Sequence, residues 1–214
     1  MDARKQNAVT NMGIRIGIFG GSFDPIHIGH LLLAELCAES LELDQVRFLV
    51  ANVSPFKTEN QPASNRVRTE MVKLAIGGNP KFETDTREID RGGVSYTIDS
   101  VRSIVAENRD SKLYLLMGAD AIIDIAKWRE PIELFNLVTP CVIARGGVGE
   151  PQWEVLEPFI DAAKLEEATK SMVIAPQVEV SSSDLRERVK RGKSIRYQVS
   201  PAVELYIREN GLYR

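Results

Sequence analysis

Short apolar runs alternate along the chain with longer stretches in which apolar residues recur every three or four positions. Runs of the first kind are typical of buried parallel strands, and the second spacing is typical of amphipathic helices. The runs predict strands at residues 14–19, 46–50, 113–117, 140–144 and 172–175, with an edge strand at 81–89 and a further short strand at 177–180.

The periodic stretches predict helices at residues 31–40, 66–76, 97–108, 118–128, 153–170 and 184–191. A last helix is bounded by Ser200 as N-cap, Pro201 in the first turn and Gly211 at its end. Strands and helices in alternation predict right-handed β-α-β units. We therefore expect an α/β fold: a Rossmann-like, doubly wound and mostly parallel sheet with helices on both faces. It forms a single domain, 14–214, with a C-terminal helical segment, after a loose N-terminal extension at 1–13.

Composition and charge exclude some classes of partner but do not identify an activity. The 214 residues carry a net charge of -3, with no long basic run, so we expect no nucleic-acid partner. No apolar stretch approaches membrane-spanning length, and the N-terminus lacks a signal-peptide core, so we expect a cytoplasmic protein with no membrane partner. Cys37 and Cys141 have no metal-ligand spacing, which fits a reducing compartment. The oligomeric state stays undetermined.

The most informative stretch is GIFGGSFDPIHIGH, residues 17–30. It joins a predicted strand to a predicted helix through glycine and turn residues, which places backbone N–H groups beside a helix N-terminus. That arrangement binds anions, most often phosphate. His27 and His30 end the loop, lie on one helical face, and are the chain's 2 histidines. Together these features predict a functional phosphate site.

Other uses of this loop fit less well. It matches neither the G-x-G-x-x-G nor the G-x-x-x-x-G-K-[ST] pattern. Zinc binding by His27 and His30 stays a minor alternative, because it needs a third ligand such as Asp24 or Glu35. Histidines beside a phosphate cradle more naturally donate hydrogen bonds to phosphate oxygens, as phosphoryl or nucleotidyl transfer requires.

GGSFDPIHIGH, residues 20–30, resembles the signature of the nucleotidyltransferases that carry an H-x-G-H motif. VSSSDLR, residues 180–186, resembles that family's second signature, I-S-S-T-x-[IL]-R. Within the family, SYTIDS at 95–100 and GADAIIDIAKW at 118–128 make the chain most similar to bacterial nicotinate-mononucleotide adenylyltransferases. The resemblance implies that ATP and nicotinate mononucleotide react to deamido-NAD and pyrophosphate, with Mg²⁺ bound through the ATP phosphates and no metal site on the protein.

The resemblance also implies roles for individual residues. The implied catalytic residues are His27, His30 and Arg186. The ATP-binding residues are these three with Gly20, Gly21, Ser22, Phe23, Gly118, Asp120, Ser182 and Ser183. The residues that bind the pyridine nucleotide are Asn52, Lys57, Tyr96, Thr97, Trp128 and Arg145. Backbone N–H groups near Tyr96 and Thr97 are expected to bind the nicotinate carboxylate, and the Trp128 indole to stack on the pyridinium ring.

Two positions depart from the family pattern. The chain has Ser54-Pro55-Phe56-Lys57 where the family has P-P-H-[KR], and Arg145 precedes two glycines where the family often has Arg-Pro-Gly. Lys57 could equally be an ordinary surface lysine, and further alternatives stay open. Trp128 could serve core packing; the acceptor could be nicotinamide mononucleotide, phosphopantetheine or a cytidylyltransferase substrate; and the chain could be a non-catalytic nucleotide sensor. Class I aminoacyl-tRNA synthetases also use H-I-G-H, but this chain lacks their K-M-S-K-S motif and their size.

Overall fold

The computed structural model of the protein describes residues 13–55, 63–145 and 151–214, with the Arg145 side chain excepted. Within these ranges the chain forms a six-stranded sheet in the order β3-β2-β1-β4-β5-β6. Each neighbouring pair of strands is parallel. The α/β, Rossmann-like prediction is confirmed. The predicted N-terminal extension lies, except for Gly13, outside the described residues.

The strands are β1 (Arg15–Gly21), β2 (Gln45–Val50), β3 (Phe82–Asp85), β4 (Lys112–Gly118), β5 (Thr139–Arg145) and β6 (Val173–Ala175). All five apolar runs are strands, and β3 is at an edge as predicted. β3 stops at Asp85 because the Arg87 N–H donates to the Asp85 carboxylate at 3.0 Å and turns the chain. The strand predicted at 177–180 is wrong, since the Val180 N–H donates back to the Val178 carbonyl at 3.0 Å.

The helices are α1 (Ile28–Ser40), α2 (Asn65–Ile76), α3 (Arg87–Arg91), α4 (Thr97–Glu107), α5 (Ala119–Ile123), α6 (Pro131–Leu137), α7 (Ala162–Lys170), α8 (Ser182–Lys190) and α9 (Pro201–Glu209), with 3₁₀ turns at Ile125–Lys127 and Trp153–Val155. The sequence pattern missed α3 and α6. The single helix predicted at 153–170 is wrong: Pro158 has no N–H to continue it, and Asp161 caps a new helix by accepting the Lys164 N–H at 2.7 Å. Within the described ranges, no helix is long and apolar enough to cross a membrane.

Successive strand residues point to opposite faces of the sheet, and each face has its own core. Ile16 and Ile18 of β1 belong to one core, with α4 and α6, whereas Phe19 belongs to the other, with α1 and α2. Helices therefore cover both faces, as predicted. In the second core, Cys37 on α1 and Cys141 on β5 are fully buried and their Sγ atoms lie 3.9 Å apart. Through this contact α1, whose N-cap is His27, packs against the sheet.

Candidate active site

The loop between β1 and α1 lies at the carboxyl edge of the sheet, where ligands bind in open α/β sheets. β1 ends at Gly21 and α1 begins after His27, which is its N-cap. A Cβ atom on Gly21 would lie 2.9 Å from the Phe23 ring, so the close packing of this turn requires glycine. Phe23 itself is buried at a φ of 48°, a left-handed conformation that its packing holds in place.

His27 and His30 stack on one another at the start of α1. Their ring centroids are 3.7 Å apart and the rings are inclined by 24°. The backbone N–H of His27 donates to Nδ1 of His30 at 3.3 Å. Because Nδ1 accepts this hydrogen bond, the proton of the neutral His30 ring is on Nε2, which becomes a donor. His30 is therefore suited to donate a hydrogen bond from Nε2 to a phosphate oxygen.

His27 is only 7% exposed. Burial lowers the pKa of its imidazole from 6.5 to about 4, because removal from water disfavours the charged ring. The ring is therefore neutral at physiological pH. A neutral ring stacked against His30 avoids the repulsion that two imidazolium ions would have at this distance.

The low pKa of His27 makes stability depend on pH. The unfolded chain binds a proton near pH 6.5 and the folded chain only near 4, so folded-state stability is full above pH 6.5 and falls as the pH drops towards 4. Between pH 7 and pH 5 this costs about 2 kcal/mol. Urea unfolding of the native chain should show this loss, and His27→Asn, which keeps a good N-cap residue, should lack that part of it. Equal pH slopes in the two proteins would contradict the assignment.

α8 meets the glycine loop, as the two sequence signatures predict. The Ser182 hydroxyl donates to the Pro25 carbonyl at 2.9 Å, and Arg186 donates from Nη1 to the Asp24 carbonyl at 2.7 Å. Arg186 also donates from Nη2 to the Ser183 hydroxyl at 3.3 Å. The second signature is thereby held against the first. The Arg186 side chain keeps 28% exposure, so it is accessible to a ligand from the solvent side.

Next to this loop is a pocket of about 280 Å³. It opens at the carboxyl ends of β1, β2 and β4, beside the N-terminus of α4. Seven of the predicted site residues line it: Gly20, Gly21, Ser22, Tyr96, Thr97, Gly118 and Trp128. Trp128 is half-buried and also packs on the core beneath it, so its packing and pocket roles hold together. The pocket's size and aromatic wall suit a planar ring.

The remaining predicted residues fall into four groups. Phe23, His27, His30, Ser182, Ser183 and Arg186 form the neighbouring glycine-loop cluster rather than the pocket wall, and Asp120 is exposed in the first turn of α5. The Asn52 side chain donates to the Gly93 carbonyl at 2.7 Å, which ties two loops together. Lys57, with Phe56 beside it, and the Arg145 side chain lie outside the described residues.

Four residues that matter to the site were missed in the sequence. Glu88, Ser95 and Arg129 line the pocket, and Arg68 is fully buried behind it. The Ser95 hydroxyl accepts the Asn52 N–H at 2.8 Å, and Glu88 accepts from the Ser100 hydroxyl at 2.7 Å. Burial raises the pKa of the Glu88 carboxyl. The only sequence signal was position: Ser95 begins the SYTIDS stretch, and Arg129 directly follows Trp128.

A zinc site at the histidines finds no support in the described ranges, where no three His, Cys, Asp or Glu residues form a group that could hold a metal ion. The two candidates for a third ligand are engaged elsewhere. Glu35 accepts from Asn79 at 2.7 Å, and buried Asp24 accepts from the Tyr213 hydroxyl at 2.5 Å.

The parallel sheet, the loop after β1 and the paired histidines fit a nucleotidyltransferase, and a family model described as cytidylyltransferase-like matches residues 18–188. A probable nicotinate-nucleotide adenylyltransferase of Rhodopirellula baltica is 38% identical over 214 residues, covering 100% of this chain and 99% of that protein. One of Thermus thermophilus is 41% identical over 203 residues, covering 94% and 100%. The chain belongs to the cytidylyltransferase-like family and, within it, to the nicotinate-nucleotide adenylyltransferases.

Solved structures agree on the fold. The nicotinic acid mononucleotide adenylyltransferase of Plasmodium falciparum complexed with NaAD superposes with a TM-score of 0.71 at 20% identity, covering 94% of this chain and 97% of that one. Its complex with APC gives a TM-score of 0.70 at the same identity. At this identity the likeness establishes the shared architecture. The family resemblance inferred from residues 20–30 and 180–186 is confirmed.

Proposed function

We propose that the protein transfers AMP from ATP to nicotinate mononucleotide, giving nicotinate adenine dinucleotide (deamido-NAD) and pyrophosphate. One observation carries the proposal. Ser182 and Arg186 of α8 donate to the loop of residues 22–27, which ends at His27, stacked on His30. The loop adjoins a pocket lined by Tyr96 and Trp128. A triphosphate site thus lies directly beside a site for a planar ring, as a reaction between two nucleotides requires. The relatives named above support the choice of acceptor.

The reaction needs no general base. A phosphate monoester has a second pKa of about 6, so the mononucleotide phosphate is largely a dianion at neutral pH. One of its oxygens attacks the α-phosphorus of ATP, the new P–O bond forms in line, and the bond to the β-phosphate oxygen breaks with release of pyrophosphate. The protein's task is to bring two anions together and to stabilise the charge that develops at phosphorus.

The structure offers donors for that charge. His30 donates from Nε2 to the α-phosphate, and the backbone N–H groups of the glycine loop, at Gly21, Ser22 and Phe23, face the triphosphate. Arg186, with Ser182 and Ser183, binds the β- and γ-phosphates, where its planar guanidinium matches two oxygens at once. On the adenosine side the proposal places Gly118 and Asp120, which follow β4.

Magnesium enters this proposal with ATP. In this proposal the ATP phosphates are the ligands of the cation. When bound there, Mg²⁺ neutralises part of the phosphate charge. Because ATP is the donor and the paired thiols of Cys37 and Cys141 suit a reducing compartment, we place the reaction in the cytoplasm.

The test is a panel of acceptors. The purified protein is mixed with Mg²⁺ and ATP and, separately, with nicotinate mononucleotide, nicotinamide mononucleotide or phosphopantetheine, while pyrophosphate release and product mass are followed. We expect the highest kcat/KM with nicotinate mononucleotide and a product of the mass of deamido-NAD. Turnover only with another acceptor would replace the substrate but keep the chemistry. ATP binding without any turnover would favour a nucleotide sensor.

A further inference from the structure

Arg129 lies on the wall of the pocket, directly after Trp128. Its guanidinium carbon is 4.9 Å from the centroid of the Tyr96 ring, which holds the cation over the aromatic face. Tyr96 is the N-cap of α4 and Thr97 is that helix's first residue. The guanidinium is therefore fixed beside the part of the pocket where a ring substituent would meet the α4 N-terminus.

The other charged groups of the pocket wall are less suited to bind an anion. Lys127 points towards solvent, with 70% of its side chain exposed, and pairs with Asp124 at 2.6 Å. Glu88 is an acid, is only 4% exposed, and accepts from the Ser100 hydroxyl at 2.7 Å. Arg129 is thus the cation of this wall that is held against the pocket's aromatic lining.

Two carboxylates orient Arg129 without enclosing it. Its Nη1 donates to Asp99 at 3.3 Å and its Nε lies 3.5 Å from Glu130, and the side chain keeps 49% exposure. A guanidinium has five N–H donors in a planar fork, so it can hold such partners and still receive a further carboxylate.

We propose that Arg129 is a specificity-determining residue, whose guanidinium pairs with the carboxylate on the substrate's pyridine ring and so selects nicotinate over nicotinamide mononucleotide. The inference rests on the proposed function and assigns part of its selectivity to one side chain. A carboxylate offers the guanidinium fork two oxygens and an opposite charge, whereas a carboxamide offers it one neutral oxygen. Removing the cation should therefore weaken binding of the acid more than binding of the amide.

The test compares Arg129→Gln and Arg129→Lys with Arg102→Gln. Arg102 is a matched control, because it is similarly exposed, at 42%, and pairs with the same Glu130 at 2.6 Å, but does not line the pocket. At saturating ATP, kcat/KM is measured for both mononucleotides. In Arg129→Gln we expect the preference for nicotinate to fall about tenfold, through KM for the acid, with kcat and KM for ATP unchanged. Arg129→Lys should restore part of it, and Arg102→Gln should behave as the native protein.

Calorimetric Kd values for the two mononucleotides test the same ratio without turnover. An unchanged ratio in Arg129→Gln would overturn the inference, as would an equal loss for both acceptors, which indicates a merely structural role. Absence of turnover in the native protein would instead count against the proposed function, and the Kd ratio would still decide the role of Arg129.

Discussion

Replacing His30 with alanine is expected to lower kcat by about 10²–10³-fold while changing the affinity for ATP only modestly. The His27 backbone N–H donates to Nδ1 of His30, which leaves the ring proton on Nε2. A donor held in this way acts most strongly on charge that develops in the transition state, and loss of one such donor typically costs about 10²–10³ in kcat. Single-turnover rates and equilibrium ATP binding, measured on the same preparation, separate chemistry from binding.

Two further variants test the two ring nitrogens of His30 separately. Asparagine can place an oxygen near Nδ1 and keep the hydrogen bond from the His27 N–H, but it has no donor at Nε2. Glutamine can place an amide N–H near the Nε2 position. We therefore expect His30→Asn to fold normally with the full loss of kcat, and His30→Gln to retain more activity. A His30→Asn variant with native kcat would rule out the phosphate role of His30.

The parts of the site that the sequence predicted are formed by residues close to one another in the sequence. A strand, glycines and a helix start follow one another within residues 14–31, so local propensity and a phosphate cradle are visible together. The S-S-S-D-L-R stretch is equally local, with its cap at Ser181 accepting the Asp184 N–H at 3.1 Å. The meeting of these two stretches follows from a parallel sheet, whose carboxyl ends lie along one edge.

The parts that were missed depend on contacts between distant residues. The sequence pattern predicted an extended segment at Arg87–Arg91, because a helix of one turn is too short to show a helical spacing of apolar residues. The start of this helix is set by the Asp85 side chain, which accepts the Arg87 N–H. Arg68 has the sequence spacing of an ordinary charged position on α2, yet it is 1% exposed. Burial of a cation depends on what surrounds it after folding, and a single sequence contains no such information.

Arg68→Met is expected to lower the free energy of unfolding by at least about 1–3 kcal/mol, the cost typical of leaving one buried acceptor without its donor. The guanidinium donates to the carbonyls of Ser22 at 2.7 Å, Ala51 at 2.6 Å, Ala63 at 3.0 Å and Asn52 at 3.3 Å, and to the Asn65 amide oxygen at 2.6 Å. Methionine fills much of the space but leaves these acceptors without their donor. Urea unfolding at constant pH measures the loss.

The positions of these acceptors mean that loss of the Arg68 guanidinium should also affect substrate binding. Ser22 belongs to the glycine loop, whereas Ala51 follows β2 on the pocket side, so one guanidinium holds the two subsites at a fixed separation. Arg68→Lys keeps the charge but not the fork, and we expect it to recover only part of the stability and to raise KM for both substrates. Arg66→Met, an exposed change two residues away on α2, is the matched control. If Arg68→Met were as stable as Arg66→Met, the hydrogen bonds to the loop carbonyls would not be what fixes the two subsites.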